Sequence, residues 1–147
     1  MSGSASRSLG LLLIGPLVLV GCESGGGGGG EEAARVEIVE PAEGSTVSGT
    51  EVPVVLETFG AQVEAADNRQ TEGRGHHHIY LDQDVASASE PIAAGVDGIV
   101  HMGDGSEEYM FTGVTPGEHR LIAVFAYGDH TPIGEVRADT VTFTVGP

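Results

Sequence analysis

The sequence has a single cysteine, Cys22, no tryptophan and no lysine. One cysteine permits no intramolecular disulfide, so the folded part must stand on its apolar core alone. With no lysine, six arginines face 22 acidic residues. All of the acidic residues follow Cys22, and the chain beyond it holds five arginines and a net charge of −17. Phosphate binding needs cationic surface, which argues against nucleic acid as a partner. Electrostatic attraction to anionic lipid headgroups is disfavoured for the same reason. Such acidity fits a salt-rich habitat or a solubility device for a tethered protein. A helical signal is missing too. Beyond the first 21 residues no long window repeats its apolar residues with a helical period.

What is present begins with an export signal. Arg7 supplies a short positive region, and Leu9 to Val20 forms an apolar run interrupted by Gly10, Gly15 and Pro16. That run is too short and too broken for a spanning helix, which needs about 20 apolar residues. It ends in Leu19-Val20-Gly21-Cys22, which resembles the bacterial lipobox. The resemblance implies a lipid on the Cys22 thiol and cleavage just before it. The alternative is an ordinary signal peptide with a chance cysteine. Residues 1–21 are thus expected to be a lipoprotein signal peptide and 22–34 a tether containing the six glycines Gly25–Gly30. As a random coil the tether would span roughly 20 Å. Residues 35–147 are enough for one domain with a real core.

That domain reads as short strands between turn signals. Expected strands are 35–40, 51–59, 76–81, 99–102, 107–112, 119–127 and 139–145. Val52, Val54 and Leu56 share one face of the second, and Pro53 points to an edge or a bulge near its start. Residues 60–75 form a long polar loop and 82–98 a second irregular stretch. Thr115-Pro116-Gly117 is a type II turn signal. The 119–127 segment is apolar on both faces, as a central strand should be. About seven strands in so short a span predict an all-β fold, a single antiparallel immunoglobulin-like β-sandwich.

The strand 76–81 gathers three of the six histidines. Side chains alternate across a strand, so His76, His78 and Tyr80 share one face and His77, Ile79 and Leu81 the other. With Ile79 and Leu81 facing the core, His77 sits at its rim. His76 and His78 look outward about 7 Å apart, close enough to meet one ion. Neutral imidazole suits copper and zinc, with ligands drawn from separate elements. In an immunoglobulin-like order the 76–81 and 119–127 strands are neighbours, which would bring His119 beside His76 or His78. His130 follows by a short loop, His101 brings Met102 as a soft ligand, Met110 is a further candidate, and Asp82 or Asp129 can add an oxygen. The candidate metal ligands are therefore His76, His78, His101, His119 and His130, with copper or zinc as the ion. Copper is ahead because clustered His and Met are available in an exported protein.

Other readings compete with this one. His119, just after a Pro-Gly turn, is placed to hydrogen-bond backbone as the tyrosine corner does in other sandwiches. His77 could be a buried, satisfied histidine and His76 a solvated one. Asp82-Gln83-Asp84, Asp97-Gly98 and Asp104-Gly105 offer hard oxygens but no EF-hand spacing, and read as solvated charged loops. No nucleophile motif or phosphate loop is present, so an enzyme is not expected.

Several motifs carry a family resemblance. They are Pro41–Val47, Gly75-His76-His77-His78, Pro91-Ile92-Ala93, His101-Met102-Gly103-Asp104-Gly105, Pro116-Gly117-Glu118-His119-Arg120-Leu121 and Gly128-Asp129-His130-Thr131-Pro132. In this order, over residues 36–145, they resemble the exported bacterial domain-of-unknown-function 4399 family. Met102 stands where that family more often has Phe. The resemblance implies an exported β-sandwich and no particular activity. The expectation is a non-catalytic binding module, lipid-anchored in the cell envelope through Cys22, holding a transition metal through its histidines. The alternative is a structural or protein-interaction module of the envelope whose histidines serve the fold and whose edges contact an envelope protein.

Overall fold

The computed structural model describes residues 33–147. The expected signal peptide, Cys22 and all but the last two residues of the expected tether lie outside them. Nine strands follow one another: β1 (Arg35–Glu40), β2 (Thr46–Ser48), β3 (Val52–Phe59), β4 (Gln62–Val63), β5 (Arg74–Leu81), β6 (Ile99–Met102), β7 (Glu108–Phe111), β8 (Gly117–Ala126) and β9 (Asp139–Gly146). No helix occurs among the described residues.

Two sheets face each other. The smaller has the order β1-β3-β7 and the larger β2-β9-β8-β5. The free side of β5 is lined first by β4 and then, further along, by β6. This is an immunoglobulin-like β-sandwich, all-β as the strand pattern predicts. The core lies between the sheets. Val52, Val54 and Leu56 of β3 meet Leu121, Ala123 and Phe125 of β8 and Val141, Phe143 and Val145 of β9 there, all buried. In β9 the alternation is strict, Val141, Phe143 and Val145 inward and threonines outward, and in β3 Val52, Val54 and Leu56 occupy the inward positions. Each large apolar side chain so buried contributes about 1.5–3 kcal/mol, and no disulfide shares the task. β8, the longest strand, is central, flanked by β5 and β9.

The structure departs from the expected pattern in three places. Two short strands were not legible, β2 and β4, and both pair in parallel, β2 with β9 and β4 with β5. Segments of three and two residues carry too little periodicity to read. Pro53 belongs to the middle strand of the small sheet, yet it is edge-like locally. β1 pairs only with Val55 to Phe59, so Pro53 has a neighbour on the β7 side alone. The bulge sits on β1, between Ile38 and Glu40. β7 is an edge strand, and Tyr109 and Met110 on it are substantially exposed.

Candidate metal centre

The β5 sequence places its histidines. His77 and Ile79 point into the sandwich, and His76, His78 and Tyr80 point to the outer face of the large sheet. That outer face is not solvated. His76 is 0% exposed, and His78 and Tyr80 are 2% exposed. Three other segments cover it. β6 lies beside β5 and sets His101 directly across from His78, the two rings stacked 5.0 Å apart. The turn after β8 brings His130 over His76. The 82–98 stretch closes the cover, its Ile92 N–H donating to the His130 carbonyl.

His130 is held in an unusual backbone conformation, with φ at +72°. Non-glycine residues there cost on the order of 1 kcal/mol or more and persist where surroundings impose them. The constraints are visible: His130 N–H donates to Tyr127 O, Tyr127 N–H to Thr131 O, and Thr131 N–H to the Asp129 carboxylate. The result folds the ring back onto β5.

Four imidazoles therefore converge from three elements. One nitrogen each of His76, His78, His101 and His130 lies within 4.8 Å of all the others. His76 Nε2 is 3.0 Å from His78 Nε2 and 3.2 Å from His130 Nδ1. Four nitrogens bound tetrahedrally at 2.0–2.1 Å to one zinc would be about 3.3 Å apart, so the spacing already approaches that of a shared ion.

The ring charges of His76, His78 and His101 are disfavoured. Burial, reinforced by His101 and His130, pulls the His76 pKa down to about 4. Burial, reinforced by His76, His101 and His130, pulls His78 down to about 3. His101 is lowered as well, by burial and His130, with Asp104 partly opposing. Neutral imidazoles keep a lone pair for a metal. Without an ion, nitrogens that face one another need alternate protonation, a proton on one and a lone pair on the next. A metal removes that conflict by accepting every lone pair. The outward Nδ1 atoms of His76 and His78 are buried without a hydrogen-bond partner among the described residues. Packing and the ring-to-ring hydrogen bonds of His76 Nε2 with His78 Nε2 and His130 Nδ1 orient those two rings. Each unpartnered polar atom costs about 1–3 kcal/mol.

The polar 60–75 stretch turns out to be the scaffold of the site. Its Glu64, Ala66 and Asn68 N–H groups donate in turn to the carbonyls of Gly75, Gly103 and Gly128. Those glycines stand one residue before His76, two after His101 and two before His130. One extended strap thus fixes the separation of three ligand-bearing segments. Gly75 has a second reason to be glycine: a Cβ there would overlap the Ala126 carbonyl on β8.

His119 does not join the cluster, contrary to the neighbouring-strand argument. β5 and β8 are neighbours, but antiparallel, with His76 opposite Ala126 and Leu81 opposite Leu121. That register puts His119 seven residues from His76's partner, roughly 23 Å along the strand. Its Nε2–H donates to the Thr115 carbonyl at 2.8 Å, the corner contact that its position after the Pro-Gly turn suggests. Its Nδ1 lies 2.6 Å from the Asp82 carboxylate. Burial opposes a charge on His119, but these two hydrogen bonds and the Asp82 charge outweigh it and raise the pKa. Both ring nitrogens face acceptors, an arrangement that favours the protonated ring, and this histidine clamps the far end of the β5–β8 pair. His119→Ala should lower stability by about 1–3 kcal/mol in metal-free buffer, roughly 5 °C or more in Tm. An unchanged melting curve would contradict the clamp.

The remaining candidates have other duties. His77 is fully buried rather than at the rim, with Nε2 3.0 Å from Thr58 Oγ1 of the opposite sheet. Burial, then the neighbouring His76, lowers its pKa to about 4, so Glu107, 3.9 Å away, forms no ion pair with it. Met102 is buried on the core side of β6, opposite His101, and Met110 lies on the other sheet. Neither sulfur belongs to the cluster. Asp82 is engaged by His119 and Arg120, Asp84 by Arg120, Asp104 by Ser106 and Asp129 by Gln70 and Thr131. These carboxylates are absorbed by local hydrogen bonding.

No curated protein matches the chain in sequence. Among solved structures, an engineered protein is similar over 78% of this chain and 20% of its own, with 12% identity and a TM-score of 0.46. The chain thus spans about a fifth of that protein. The fibronectin(III)-like modules of Clostridium thermocellum CbhA are similar over 76% of this chain and 96% of the module chain, with 14% identity and a TM-score of 0.41. The family model described as Domain of unknown function (DUF4399) matches residues 54–146, a range that begins inside β3, leaves Pro41–Val47 ahead of it and contains all six histidines. The chain belongs to the DUF4399 family.

Proposed function

We propose that this domain is a non-catalytic module of the bacterial cell envelope that binds one transition-metal ion through His76, His78, His101 and His130. The observation carrying this reading is the convergence of four imidazoles, with candidate ligand nitrogens within 4.8 Å, from three separate elements. The donor set is entirely imidazole nitrogen. Such a set suits Zn(II) and Cu(II) and lacks the thioether that favours Cu(I), since both candidate sulfurs lie elsewhere. In this reading the lipid on Cys22 holds the domain at a membrane and the glycine tether lifts it off the surface.

Two histidines support the competing structural reading, but only for themselves. His77 links the two sheets and His119 clamps a strand pair. Among the other four, the ring hydrogen bonds run only between members of the cluster, His76 with His78 and with His130. X-ray absorption of the zinc-loaded protein tests the assignment. Four nitrogen donors near 2.0 Å and no sulfur are expected. A sulfur scatterer, or a shell dominated by oxygen, would contradict it.

A further inference from the structure

The four histidines are not equivalent. His76 and His78 are buried on β5, and His130 is half-buried on a turn braced by several hydrogen bonds. His101 alone is exposed. It has ring contacts with the other three and no hydrogen bond to hold it. On its open side lies a surface cleft lined by His101, Gly103, Asp104, Ser106 and Tyr109. The ring lies directly on Gly103. A Cβ at Gly103 would overlap the His101 imidazole, and its φ lies outside the range that excludes other residues. The obstacle to alanine there is therefore the ring and not the backbone.

We propose that His101 is an exchangeable ligand: His76, His78 and His130 anchor the ion, and His101 swings into the cleft to open the fourth position to an incoming donor. This rests on the metal-binding reading and adds to it a direction of exchange. A closed four-ligand site is structural, whereas three protein ligands with one replaceable position let a metal react or transfer. The exchange step is a ligand substitution. The metal–nitrogen bond to His101 breaks as a bond to an oxygen or nitrogen of the acceptor forms, with no change in oxidation state. Asp104, whose carboxylate is held by the Ser106 N–H and hydroxyl, places a negative charge beside this path, which favours passage of the metal cation itself and disfavours anionic donors. Gly103 is a positioning residue, since it leaves the space the ring occupies.

The test uses the full-length protein with Cys22→Ser, so that no thiol competes, loaded with Zn(II). The coloured chelator 4-(2-pyridylazo)resorcinol serves as acceptor. His101→Ala should keep one zinc per chain and pass it to the chelator at least tenfold faster than the parent. Gly103→Ala should do the same, with a metal-free melting curve close to the parent's. His76→Ala should lose stoichiometric zinc. In the copper(II)-loaded His101→Ala protein, added imidazole should shift the visible band by filling the fourth position. Loss of zinc from His101→Ala as complete as from His76→Ala would overturn the proposal, and so would transfer no faster than in the parent. Failure of the parent itself to take up zinc is a separate result, read before any transfer, and overturns the metal reading together with the exchange.

Discussion

Changing His76 and His78 together to alanine should abolish stoichiometric metal binding. Both side chains come from one strand and supply two of the four converging nitrogens. Loss of a residue that merely supports a ligand typically costs 10–100-fold in affinity, so removing two ligands should cost well over a hundredfold. Metal-free stability should fall as well, because two buried rings become cavities and His130 loses its hydrogen bond to His76. The decisive readout is therefore binding, measured by calorimetry on variant protein whose melting curve shows that it is folded. Binding equal to the parent's would show that the ion, if any, sits elsewhere.

Acid should unfold the metal-free domain well above the range where carboxylates titrate. His76, His77 and His78 are neutral in the fold, with pKa values held to about 4, 4 and 3 chiefly by burial. In the unfolded chain each takes up a proton near 6.5. Between about pH 6.5 and 4 the unfolded state therefore binds more protons, and stability falls as pH falls. One histidine kept neutral down to pH 4 costs on the order of 3 kcal/mol there, a large part of the 5–15 kcal/mol typical of a whole domain. His119 acts in the opposite sense. Its raised pKa gives stability that is full below 6.5 and lost as pH rises through the folded value. The strong negative charge also opposes the acid effect, because protonating surface carboxylates relieves self-repulsion. A comparison isolates the buried term: chemical denaturation from pH 7.5 to 4.5 for the parent and His77→Leu. The parent should lose stability more steeply. Parallel curves would contradict the burial argument for His77.

Much of this structure was legible in the sequence. Apolar alternation in Val52–Leu56 and Val141–Val145 located the core faces of β3 and β9, and the two-sided apolarity of 119–127 identified the central strand. The His-x-His spacing put two of the candidate ligands on one face. Register was not legible. Knowing that β5 and β8 are neighbours did not show which ends coincide, and that error placed His119 in the wrong group. The pairing of His101 with His78 needed the same information. Burial of the outer face was hidden as well, since it depends on loops whose composition is polar. The 60–75 stretch reads as a solvated connection, yet its backbone N–H groups brace three ligand segments. Backbone hydrogen bonds leave almost no mark on side-chain pattern.

The most direct test of the account is a calorimetric titration of the untagged protein, Cys22 replaced by serine, with Zn(II), Cu(II) and Cu(I) at pH 7. The account predicts one Zn(II) or Cu(II) per chain, bound tighter than micromolar, with Cu(I) gaining nothing from sulfur. Weak, non-stoichiometric heats with all three would contradict it and leave the four histidines as residues of the fold.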